Sequence, residues 1–504
     1  MKHRRTNIRS TLRPALLALS CAVLLSGCGG DGGGAAPDGG TPTPSPSPTP
    51  GQTPAADCPA NFVNGGVIAG RRNCVLPNLI LADLTLPNRT GTVYSLPGRV
   101  DVGRDIGGDG RLPGGAPATL TIEPGVVVFG SGGLNYLVVN RGSKLEATGR
   151  ADAPIVFTSR SNLEGLADDN SQGQWGGVIL LGRAPISDCL GNVPGGSANC
   201  EQTYEGLTNT LYGGAQADDS SGTIRYVQIR YAGFELFPNQ EINGLTLAGV
   251  GAGTTIDHVQ VHNSADDGIE LFGGRANARH LVLTGNDDDG LDTDQGYQGF
   301  IQYVIAAQRT GGASGDDMLE VDSSDNVDSL PRQWLRLANF TFIQRSNRAA
   351  SALLLRGGAD VSAANGVVVS NRACLDVDQA ATVRAADAAL QDQGAPMFRS
   401  VVMTCTGGAY VNDGDVPADT IRAFFEATGL NNDPAFRSSL TAGFVNGANE
   451  SAIIAYDATR LGGFFQAPGY IGAVRDVDDR WYAGWTCNSA TLSFGGTRKC
   501  TDIP

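Results

Sequence analysis

Asp266-Asp267-Gly268-Ile269-Glu270, Asp288-Asp289-Gly290-Leu291-Asp292 and Asp316-Asp317-Met318-Leu319-Glu320 repeat one phrase: two acids, a spacer, an aliphatic residue and a further acid. The steps are 22 and 28 residues, about one coil of a parallel β-helix, with a longer loop in the second step. In-register coils place equivalent residues about 4.8 Å apart. Carboxylates stacked that closely repel, so the stretch calls for a cation, a shared proton or splayed side chains.

The flanking sequence carries the same period. Thr223 to Ile229 is similar to Thr255 to Val261, and Asn277 to Leu283 and Gly299 to Ile305 follow at further steps of 22. From about Ala118 onward, β runs of four to six residues end in Gly, Asn or Asp, with no helix between them. That pattern excludes a doubly wound α/β sheet and fits a β-sandwich, a propeller or a β-helix, among which the successive similar units predict an all-β parallel β-helix. The expected organisation is a signal segment at 1–27, a Gly/Pro/Ser/Thr-rich tether at 28–57 and an N-terminal cap at 58–113. The β-helix then covers 114–374, and a mixed cap at 375–504 packs on its C-terminal end. A disulfide-closed loop leaves one coil between 160 and 222, and Pro417 to Thr428 has helical spacing.

Lys2, Arg4, Arg5, Arg9 and Arg13 precede the apolar run Ala15 to Leu25, which is short for a spanning helix. Leu25-Ser26-Gly27-Cys28 resembles a bacterial lipobox, implying a lipid on Cys28 and an anchor that does not span the membrane. Gly29, not an acid, follows the cysteine, and the resemblance to lipoprotein sorting in enteric bacteria then implies the outer membrane, facing the periplasm or the cell surface. The whole chain carries −15; without residues 1–27 its 36 basic residues fall by five to 31, against 51 acidic ones, about −20. Such a charge excludes nucleic acid as a natural partner. Eight cysteines remain beyond the signal: Cys58, Cys74, Cys189, Cys200, Cys374, Cys405, Cys487 and Cys500. Their even number in an exported chain predicts disulfides, with neighbours in sequence as the simplest pairing.

Thr121-Ile122-Glu123-Pro124-Gly125, Pro154 to Ser159, Gln174-Trp175-Gly176-Gly177, Asn243 to Leu247, and His262 to Gly268 followed by Phe272-Gly273-Gly274 resemble a family of bacterial proteins. These are right-handed β-helix lipoproteins or secreted surface proteins of Gram-negative bacteria rich in TonB-dependent receptors. The resemblance covers roughly residues 95–350 and implies fold and location, not a particular activity.

The acidic ladder admits three readings. Asp266, Asp267, Asp288, Asp289, Asp292, Asp316 and Asp317 supply the hard oxygen ligands that Ca²⁺ takes from flexible loops. Alternatively Asp289, Asp292 and Asp317, with Arg309, form the centre of a polysaccharide lyase or hydrolase. Against that, no His precedes Gly, and the three lysines, Lys2, Lys144 and Lys499, do not follow Arg at the spacing of galacturonase-type hydrolases. The third reading is a plain turn ladder in which Asp and Gly serve the backbone. His258 and His280 occupy equivalent repeat positions 22 residues apart; a surface or turn stack is expected, with a metal pair as the alternative. The expected function is a non-enzymatic envelope binding protein facing a glycan or an outer-membrane partner such as a TonB-dependent receptor. A polysaccharide-cleaving enzyme and a structural or adhesion protein are the alternatives.

Overall fold

The computed structural model describes residues 53–504, apart from 205, 238–239, 311–314, 324–325, 347 and 413. Cys28, the signal segment and most of the tether lie outside the described residues.

Two long sheets wind around one apolar interior: a ten-stranded sheet and a fifteen-stranded sheet, paired in parallel except for the hairpin Val63–Ile68/Arg71–Val75. This is a parallel β-helix. In the ten-stranded sheet, Val100, Leu137, Val178, Leu245, Ile269, Leu291, Leu319, Leu353 and Leu375 stand in register, coil upon coil. All are buried, as strand alternation requires of one face. The residues between them, among them Thr246, Glu270, Asp292, Glu320, Leu354 and Asp376, form the outward column.

The fifteen-stranded sheet turns a corner by a repeated backbone device. Tyr226, His258, His280, Tyr303, Asn339, Asn365 and Ser400 have φ between 51° and 64° and follow one another in register. A left-handed residue in mid-strand redirects the chain. Strands of eight to eleven residues, such as Thr255–His262 and Trp334–Gln344, therefore form two sides of a coil.

Parallel pairing starts at Arg71–Val75 and Thr92–Leu96, inside the region expected to be a cap, and the last coil strand is Met397–Cys405, beyond 374. The regular part is therefore longer at both ends than the repeats indicate. The helix Ala418–Phe425 forms where the spacing predicts one, burying Ile421 and Phe425 against the end of the solenoid. The disulfides are Cys58–Cys74, Cys189–Cys200, Cys374–Cys405 and Cys487–Cys500.

The C-terminal stretch departs from expectation. It runs back as a strap over the long sheet instead of stacking on its end. Ser400 Oγ donates to Ile454 O, Asn365 Nδ2 to Tyr456 O and Asn339 Nδ2 to Tyr470 O. Gln260 Nε2 donates to Cys487 O, and Arg71 Nη2 in the first coil donates to Pro504 O. Trp485, Phe444 and Val474 pack on Val282, Ile305 and Ile343. The physical reason is the polar left-handed column: its amides and hydroxyl need acceptors once covered, and a strap of irregular backbone supplies carbonyls.

Arg230 anchors the strap. It is fully buried, and its Nη1 donates to Cys500 O and Asp502 O at 2.7 Å each, while Asn162 Nδ2 reaches Thr501 O at 3.0 Å. A buried guanidinium that loses an acceptor is costly. Deleting residues 501–504, which spares the disulfide at Cys500, is expected to lower unfolding free energy by about 1–3 kcal/mol in denaturant titrations. A change below about 0.5 kcal/mol, the range of neutral surface changes, would contradict this anchoring role.

Candidate functional site

The three acidic phrases meet on the ten-stranded sheet and on the turn leading into it. The final acids, Glu270, Asp292 and Glu320, lie in register in the outward column. Thr293 points inward, so Asp292 and Asp294 share the outer face, and Asp294 sits in register with Phe272. One turn earlier stand Asp267, Asp289 and Asp317. Asp289 N–H donates to Asp267 Oδ1 at 3.0 Å, and Asp317 N–H donates to Asp289 Oδ1 at 2.7 Å. Ser351 Oγ donates to Asp317 Oδ1 at 3.2 Å. The turn reading thus holds for part of each carboxylate: it ties one coil to the next. Gly268 belongs to the same device, since a Cβ there would lie 2.6 Å from Gly290 O.

The carboxylates converge as well as cap. Oxygens of Asp267, Glu270 and Asp292 lie within 4.8 Å of one another, and so do those of Asp289, Asp292 and Glu320. Asp266, Asp267 and Asp288 form a third such group at the turn. Asp267, Glu270, Asp289 and Asp292 are buried. Two unit charges at that spacing repel by about 3 kcal/mol at an effective dielectric near 20. Three such pairs total about 10 kcal/mol, comparable with the stability of a whole domain. A fully ionised triad therefore needs a counter-cation; otherwise protons must be retained.

The proton affinities agree. Burial first, then Glu320, Asp288, Asp267 and Asp317, holds the Asp289 carboxyl well above the ordinary carboxylate range. Burial, with Asp316 and Glu320, does the same at Asp317. Burial and Asp322 raise Asp294. One cation of the chain joins the column. Arg356 reaches Glu320 Oε1 at 2.5 Å and Asp322 Oδ2 at 2.6 Å. Burial disfavours its charge, but Glu320 and Asp322 outweigh burial and keep it firmly protonated.

Arg309 does not join. It follows the long-sheet strand Phe300–Ala307, and its side chain donates to Asn170 O and the Gln172 amide oxygen, 3.8 Å from Asp287. The expected grouping of Arg309 with Asp289, Asp292 and Asp317 is therefore corrected: Arg356 occupies the place given to it. Asp316 and Asp288 stay at the turn, where Asp316 N–H donates to Asp288 O. Glu270 and Glu320 were legible as the closing acids of their phrases. Arg356 carries no sequence signal, because it lies a full coil beyond Asp322.

The disulfide-closed insertion walls one end of the column. Tyr204, Tyr212 and Ile186 pack on Ile179, Ala248 and Phe272, with Tyr204 edge-on to Phe272 at 5.6 Å. Asn243 Nδ2 donates to Glu270 Oε2 at 2.6 Å. The result is a carboxylate column bounded by an aromatic wall and an Arg-bridged pair of acids. Hard oxygen donors in this number fit a calcium-like cation.

The family model of the pectate-lyase like beta helix domain matches residues 109–442, about two thirds of the chain. The chain belongs to this family. No curated protein and no solved structure matches it.

The raised Asp289 value has a definite sign. A carboxyl whose folded value lies above its unfolded one stabilises the fold below the unfolded value, and that contribution is lost as pH rises. Asp289→Asn stays neutral and still accepts the Asp317 N–H. In EDTA, its melting temperature relative to the unsubstituted chain is expected to rise between pH 5 and pH 8. A difference independent of pH would contradict a proton-retaining Asp289.

Proposed function

We propose that the protein is a lipid-anchored envelope binding protein whose ten-stranded sheet holds Ca²⁺ in the carboxylate column and presents it to an extended glycan. The observation that carries this reading is the pair of carboxylate triads sharing Asp292. Asp267, Glu270 and Asp292 would hold one ion, and Asp289 and Glu320 extend the donor set to the next coil. Calcium takes six to eight oxygens, so backbone carbonyls, water or sugar groups complete it. A ridged solenoid face suits a polymer lying along it. An acidic polymer meets this strongly acidic chain most readily through a bridging cation. Cys28 would supply the lipid that keeps the protein at the outer membrane, near glycans and receptors of TonB-dependent type.

The role of the chain's own groups follows from their positions. Asp289 and Asp317 fix the coil spacing through their backbone bonds, while Asn243 orients Glu270. Arg356 neutralises the far end of the column and is too tightly paired to serve as a base.

An enzymatic reading stays as the second proposal, favoured by the proton-holding Asp289 carboxyl within 4.8 Å of Asp292 and Glu320 and by membership of a family named for its likeness to pectate lyase. In that case Asp289 or Asp317 would act as the acid and Asp292 as its partner.

Calcium at a hundred times its dissociation constant stabilises a single-site protein by about 2.7 kcal/mol. Melting curves are therefore expected to rise by several degrees with calcium over EDTA, and Asp292→Asn is expected to abolish the rise. No calcium response would sink the cation reading. Turnover of a polyuronate or neutral glycan that disappears in Asp292→Asn would replace binding by catalysis.

A further inference from the structure

A second cluster lies on the long sheet, apart from the carboxylate column. Asp257 and His258 come from Thr255–His262, and His280 from the neighbouring strand Asn277–Thr284. His258 Nδ1 is 2.8 Å and His280 Nδ1 2.7 Å from the same atom, Asp257 Oδ1. All three ligand atoms lie within 4.8 Å of one another. Arg225 Nε takes the other oxygen, Oδ2, at 3.3 Å, leaving Oδ1 to the imidazoles. The imidazoles lie 4.3 Å apart, tilted by 33°, between Tyr226 and Tyr303, with Trp481 and Trp485 of the strap edge-on or tilted beside them.

The backbone makes the placement informative. Both histidines occupy the left-handed column, at φ 56° and 55°. Asn suits that conformation best among ordinary residues. Farther along the column, Asn339 and Asn365 use it to hold strap carbonyls. At His258 and His280 the column instead directs two imidazoles of adjacent coils onto one carboxylate. Backbone held in this region costs about 1–3 kcal/mol and collects at functional sites. Side chains of Asp257, His258 and His280 are 23%, 10% and 20% exposed, so the cluster is walled without being sealed.

We propose that Asp257, His258 and His280 form a binding site for a divalent transition metal of the zinc or copper class. Two imidazoles and a carboxylate are donors that such ions accept, and three protein ligands leave a fourth position for water or an outside ligand. On binding, each imidazole presents Nδ1 as a lone pair and carries its proton on Nε2, so the two hydrogen bonds to Asp257 give way to metal bonds without any redox change. The ligand atoms separate from 2.7–2.8 Å to about 3.2 Å, the spacing set by metal bonds near 2.0 Å. The ion then ties two coils together beneath the strap. Neutral imidazoles are required, so protons compete with the metal for the ring nitrogens.

The test uses the mature chain, stripped with EDTA and held in excess calcium to occupy the carboxylate column. Calorimetric titration with zinc alone is expected to give one ion per chain. Copper(II) is expected to quench the fluorescence of Trp481 and Trp485, whose rings lie 5.0–6.3 Å from the imidazoles. His280→Asn keeps a residue suited to the left-handed backbone, so its melting temperature without metal should stay close to the original. Zinc affinity should fall at least about tenfold, and the copper quench should be lost. Zinc binding that is absent, that survives intact in both His280→Asn and His258→Asn, or that is removed by Asp292→Asn would overturn the site.

Discussion

Main-chain hydrogen bonding between parallel coils constrains everything else in this molecule. Each residue is bonded above and below to its equivalents, so any side chain repeated at the coil period becomes a column. Where the repeated residue is aliphatic, the column is the core, as from Val100 to Leu375. Where it is acidic, the same bonds force carboxylates together with no freedom to part along the axis. Where it is left-handed, they align a row of amides and aromatic rings. The candidate ion sites are consequences of register rather than additions to the fold.

The acidic column also shows how one residue type can serve two ends. One oxygen of Asp267 and one of Asp289 secure the next coil's N–H, which accounts for the second acid of each pair at the turn. The third acid of each phrase faces outward beside its equivalents. Convergence then depends on burial: the insertion carrying Tyr204 and Tyr212 covers the Phe272 end, and Arg356 compensates charge at the Glu320 end. Between them, Asp292 belongs to both triads.

How far this was legible in the sequence follows from which interactions repeat. The phrases at 22- and 28-residue steps reveal the coil, the columns and the His258–His280 stack, because register converts periodic sequence directly into contact. The early coils were hidden by strands as short as Leu79–Ile80 and Leu84–Leu86, too brief to carry a visible alternation. The strap was hidden for a different reason. Its bonds are backbone carbonyls meeting Asn339, Asn365, Gln260 and Arg230, and a carbonyl leaves no mark in sequence. Arg309 was misplaced because it follows the end of a long-sheet strand, and its side chain reaches the 168–172 loop and not the column.

The central claim is that the buried triads around Asp292 are completed by a cation. A crystal grown with calcium replaced by a lanthanide tests it most directly, through anomalous scattering. The predicted result is a peak bonded to Asp267, Glu270 and Asp292 oxygens at about 2.3–2.6 Å. Carboxyls without such a peak, paired oxygen to oxygen at hydrogen-bond distance through shared protons, would contradict it.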